Sequence, residues 1–154
     1  MSEIQSELVS RRIDTFDRNH TLHVRRRYRR HDSLHAEIDD FVCALSIPSQ
    51  LTFSGLGDKW HETTKCNAQS TLCYMLSNDL AFNSLEIPND DAEALTNEFL
   101  ALFETNARFF TNGQFDFDSA GWSGWGRVTD ATFETGIVVV DEVHIGILWC
   151  HDED

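Results

Sequence analysis

Cations are scarce after residue 30 of this 154-residue chain. Only Lys59, Lys65, Arg108 and Arg127 stand there against 22 carboxylates, a net −18. The other eight arginines lie at positions 11, 12, 18, 25, 26, 27, 29 and 30, opposed in that stretch by four acids, a net +4. A body so acidic repels nucleic acid and anionic membrane and steers toward basic surfaces. Long apolar runs are missing as well. The longest aliphatic run is Ile137 to Val140, far short of the ~20 residues a membrane span requires. Met1-Ser2-Glu3-Ile4 has an early acid and no apolar stretch behind it, which argues against a secretory signal. Four cysteines (Cys43, Cys66, Cys73, Cys150) at irregular spacing are too few for a disulfide framework, so reduced thiols in a cytoplasmic protein are expected. Prolines number two, Pro48 and Pro88, and both fall between elements. A single domain over 1–154, held by its core, is the expectation.

Signatures of catalysis are also lacking. Gly55-Leu56-Gly57 has neither the third glycine nor the preceding strand of a dinucleotide site, so it reads as a loop. No nucleophile elbow, phosphate-binding loop or H-E-x-x-H occurs. For metals, the nearest candidates are Cys66 with Cys73, Cys150 with His151, and His31 with His35; none has zinc-ligand spacing with further ligands. No cofactor or metal is expected. A small enzyme would have to be assembled from His61 with Cys66 or Cys73, or from Trp60-His61-Glu62.

The apolar periodicity predicts helices in the first two thirds and strands in the last. Ile4, Leu8, Val9, Ile13 and Phe16 recur at helical spacing, giving a basic amphipathic helical segment within 1–30. It either continues to the arginines or breaks near Asn19-His20, and the alternation Thr21-Leu22-His23-Val24 permits a short strand. A second helix starts at an Asp32 or Ser33 cap and carries Leu34, Ile38, Phe41, Val42 and Leu45 on one stripe. A third spans about Asn67 to Leu80. Asp90 and Glu93 open a fourth, whose stripe is Ala92, Leu95, Phe99, Leu102, Phe103 and Asn106, ended by Asn112-Gly113. Residues 31–112 are therefore expected to be mainly helical and 113–154 β-rich and acidic. Phe115–Asp118 alternates as a half-buried strand does, and Phe133–Val140 and Val143–Cys150 flank Asp141-Glu142 as a hairpin. The fold class predicted is α+β, about four N-terminal helices packed on one face of a C-terminal antiparallel sheet.

Two groups of residues invite recognition. The cluster Arg25-Arg26-Arg27-Tyr28-Arg29-Arg30 resembles a phosphate-binding run, but Asp32, Glu37, Asp39 and Asp40 follow at once and internal pairing is the preferred assignment. Near the C-terminal strands, carboxylates and tryptophans gather: Asp116, Asp118, Trp122, Trp125, Asp130, Glu134, Asp152 and Glu153. The tryptophans sit in Gly121-Trp122-Ser123-Gly124-Trp125-Gly126, where they either anchor an interface or cap the core. These eight residues are the candidate partner-binding set. Small size, strong acidity and an aromatic-rich C-terminal sheet together resemble bacterial immunity proteins that neutralise cognate toxins. The resemblance implies an inhibitor whose acidic face covers the active site or substrate groove of a basic partner such as a nuclease. It implies no direct binding of nucleic acid or membrane. A DNA mimic is the first alternative and a small Cys/His enzyme the second.

Overall fold

A computed structural model describes residues 20–27, 33–45, 54–77, 89–116, 121–124, 128 and 133–152. In chain order these form β1 (His20–Arg26), α1 (Leu34–Cys43), a 3-10 turn (Gly57–Lys59), β2 (His61–Thr63), α2 (Lys65–Ser77) and α3 (Asn89–Leu100). Then follow β3 (Arg108–Thr111), β4 (Gly113–Asp116), β5 (Gly121–Gly124), β6 (Phe133–Val140) and β7 (His144–Asp152). Five strands make one antiparallel sheet in the order β1-β7-β6-β3-β2, and β4 pairs with β5 in a separate ribbon. The fold is α+β, as its composition of elements predicts. Among the described residues, no helix is long and apolar enough to cross a membrane.

The three expected helices that fall within the described residues are present, and the first expected helix (Ile4 to Phe16) lies outside the described residues. Two expectations need correction. First, strands also occur early: His20–Arg26 is β1, paired with β7 from His20↔Cys150 to Arg26↔His144. Alternation of β-branched Thr21 and Val24 suits a pleat, and the open side of β7 supplies the backbone partners a lone strand lacks. Second, the helices do not share one face. Phe41, Ile38 and Val42 of α1 pack with Val138, Val140, Ile145, Ile147 and Trp149. Leu72, Leu76, Leu95 and Phe99 of α2 and α3 pack with Ile137, Val139 and Leu148. Successive residues of β6 thus feed opposite cores, the two-sided burial that a continuous apolar strand records.

Local signals explain most boundaries. The Ser33 side chain caps α1, accepting from Ala36 N at 3.4 Å, and Thr64 does the same for α2 through Asn67 N at 3.1 Å. After Leu100, α3 tightens into turns, with Leu102 N donating to Phe99 O and Phe103 N to Leu100 O. Asn106 is consequently exposed rather than part of the stripe. Asn112-Gly113 does not end a helix; it is the joint at which the chain leaves β3 for β4. Gly57 has φ of 60°, a conformation glycine adopts without penalty. Its loop is held by Asp39, whose carboxylate accepts from Leu56 N and Gly57 N, each at 2.9 Å, and from Trp60 Nε1 at 2.7 Å. Asp39 is thereby assigned to the loop.

Gly136 lies under the Trp149 indole. A methyl group added there would collide with the Leu148 carbonyl oxygen and the indole itself. Neither is free to retreat, since Trp149 is 0% exposed and Leu148 is in the ladder. Gly136→Ala should cost about 2–3 kcal/mol of stability, read from urea unfolding midpoints. A loss under about 0.5 kcal/mol would show that β6 and β7 yield there.

Candidate interaction surface

The predicted partner-binding residues divide by position. Asp116 closes β4 and Trp122 is the second residue of β5; the register sets Phe115 opposite Trp122 and Asp116 opposite Gly121. Asp152 ends β7, opposite Phe133. The ribbon therefore joins two of the predicted residues at one place. Asp118, Trp125, Asp130 and Glu153 lie outside the described residues. Among the described elements, β4 and β5 pack chiefly on each other.

Glu134, one of the candidate partner-binding residues, is buried. It is 3% exposed, and its Oε1 accepts from Val128 N at 2.6 Å. Its backbone carbonyl accepts from Asn112 Nδ2 at 3.3 Å, while Val128 O accepts from Ser54 N at 2.7 Å. Asn112 immediately precedes β4 and Val128 follows β5. Glu134 thus ties both ends of the excursion that contains the ribbon to the main sheet. An acid on an alternating strand gave no hint of this, because its partner is a backbone donor fixed only by the tertiary fold.

Of the described arginines in the cluster, Arg27 follows the internal-pairing assignment. Arg27 Nε and Nη2 donate to Glu37 Oε2 and Oε1, both at 2.6 Å, and Nη1 donates to Asp141 O at 2.9 Å. The Arg27 and Glu37 side chains are 12% and 7% exposed. The Glu37 hydrogen bond raises the Arg27 pKa further above its ordinary value, with burial opposing. Arg25 lies over the Phe41 ring at 5.2 Å, and His23 stacks on the same ring at 5.9 Å. Burial and then the Arg25 charge lower the His23 pKa below its usual value. Arg26 is exposed, and Arg29 and Arg30 fall outside the described residues.

Two residues of the enzymatic alternative, Glu62 and Cys73, have partners within the fold. Arg108 Nε and Nη2 donate to Glu62 Oε2 and Oε1 at 2.8 and 2.7 Å. This hydrogen bonding outweighs burial and holds the Glu62 carboxyl below its ordinary pKa. Cys73 Sγ approaches Thr96 Oγ1 at 3.5 Å, linking α2 to α3, and Cys66 is exposed on the first turn of α2. Among the described residues, no three of His, Cys, Asp and Glu converge in a way that could hold a metal ion.

Sequence reasoning missed Asp141 as more than a turn residue. Its Oδ1 accepts from Val143 N at 2.8 Å and His144 N at 2.6 Å, and its Oδ2 from Glu104 N at 3.0 Å. The first two bonds shape the β6–β7 turn; the third fastens the loop after α3 to it. An aspartate directly before a two-residue turn was the available signal. With the site's geometry in place, comparison with protein-family models, curated proteins and solved structures gives no match.

Proposed function

We propose that this protein is an inhibitor of the immunity type, which neutralises a basic protein partner such as a nuclease toxin by covering its active site or substrate groove. One observation carries the proposal. Arg27 and Arg108, two of the chain's few cations in the described region, are consumed in bidentate internal pairs, while Asp58, Asp90, Glu93 and Glu104 remain exposed. Each pair takes up one carboxylate with its cation, so the chain's net −14 is carried by the remaining groups and favours long-range steering to a positive groove. We assign the contact to the ribbon that holds Asp116 and Trp122.

Affinity capture from the native host, followed by growth rescue when the captured protein is expressed, tests this directly. With a partner in hand, Asp116→Lys combined with Asp118→Lys should slow association about tenfold at low salt and flatten its salt dependence. Unchanged association kinetics would remove this ribbon from the electrostatic face. A DNA mimic would instead inhibit several unrelated DNA-binding proteins, whereas an immunity-type inhibitor acts on one.

A further inference from the structure

The two edges of the main sheet are unequal. β2 contributes only His61–Thr63, and in its ladder with β3 just one residue, Glu62, turns its backbone groups outward. β1 is seven residues long. Arg27 N donates to Val143 O at 2.8 Å, in line with the register that pairs Arg25 with Ile145 and His23 with Ile147. Odd-numbered residues of β1 therefore exchange hydrogen bonds with β7, and the N–H and C=O groups of Leu22 and Val24 and the N–H of Arg26 point to the side on which, among the described residues, no strand lies. The same parity follows from the far side of β7, where Asp141 N donates to His144 O and sets even-numbered residues toward β6. The outward Arg26 carbonyl is already covered by Arg25 Nη1 at 3.3 Å.

Side chains give this edge a chemical preference. Leu22 and Val24 are partly buried against the core shared by α2 and α3, so Arg26, which follows their alternation, belongs to that face. Arg25 lies on the other face, pinned over Phe41 of α1. An added strand would run between a guanidinium above the sheet and another below it. We propose that the open edge of β1 docks an extended, acidic segment of another protein by strand addition. A second copy of this chain is the poorer occupant, because pairing β1 with itself would bring two sets of arginines together. This surface is distinct from the acidic one assigned above and stands or falls separately.

The test uses the full chain with two synthetic peptides, one alternating Glu and Val and its counterpart alternating Lys and Val. The Glu/Val peptide should bind and slow hydrogen exchange at the Leu22 and Val24 amides, and the Lys/Val peptide should not. Arg26→Glu should weaken the Glu/Val peptide about fivefold to tenfold. Val24→Pro removes an outward N–H without breaking the ladder to β7 and should weaken it similarly; should that variant unfold, a Glu/Val peptide N-methylated on alternate residues replaces it. Three results would overturn the proposal: equal binding of the Lys/Val peptide, Leu22 and Val24 amides already protected in the free monomer, or self-association that Val24→Pro abolishes.

Discussion

Glu37→Ala is expected to lower the free energy of unfolding by about 3–5 kcal/mol, and Arg27→Ala by a similar amount. Each leaves the other charge in a site where the two side chains are 12% and 7% exposed, so the loss is mainly that of an uncompensated ion rather than of a contact. Replacing both, as Arg27→Met with Glu37→Leu, should recover most of it, because the desolvation of two charges disappears along with their attraction. Arg26→Ala should change stability by less than about 0.5 kcal/mol, since Arg26 is exposed. Urea unfolding of the four variants decides the matter. Equal, small effects at positions 26 and 27 would show that these arginines serve something other than the fold.

Asp141 sets the second expectation. Asp141→Ala should cost about 2–4 kcal/mol, because three backbone donors lose their acceptor at once. The effect also has a pH signature. Burial alone would raise the Asp141 pKa, but the N–H groups of Glu104, His144 and Val143, with the His144 charge behind them, hold it below the ordinary value of 3.8. A carboxyl with a depressed folded pKa lends its stability fully above the unfolded value and loses it as pH falls through the folded one. The stability difference between the native chain and Asp141→Asn should therefore be greatest at neutral pH. It should shrink as the solution is acidified below about pH 4. A difference constant down to pH ~2 would mean that the carboxylate charge is not what those donors require.

The parts of the fold legible in the sequence are those whose signals are local. α1 was readable from Ser33 and a stripe of Leu34, Ile38, Phe41 and Val42, and the structure buries the last three of these. The β6–β7 hairpin was readable from its β-branched strands around Asp141-Glu142. Placement of the layers was less so, although one clue stood in view: four aliphatic residues in a row, Ile137 to Val140, have no polar side to offer. A strand of that kind requires cover on both faces, which the separation of α1 from α2 and α3 provides. β1 was ambiguous because its alternation is short and its stability comes from β7, far along the chain. The inward role of Glu134 was illegible for the same reason: nothing within its own strand marks Val128 as the donor.

The adjacency of β1 and β7 bears on how the chain comes to be folded at all. His20 lies beside Cys150, so β1 stays without its neighbour until some 130 further residues have left the ribosome. α2 and α3 can associate during synthesis, but the cores above and below β6 close only when β7 arrives and aligns β1 against itself. Contacts this distant in sequence slow folding and leave sticky strands waiting. Meanwhile the early arginines and the later acids are held on one tether, and opposite charges so joined attract wherever they come within about 8 Å at physiological salt. The unequal charge along this chain then acts on its assembly as well as on its encounters.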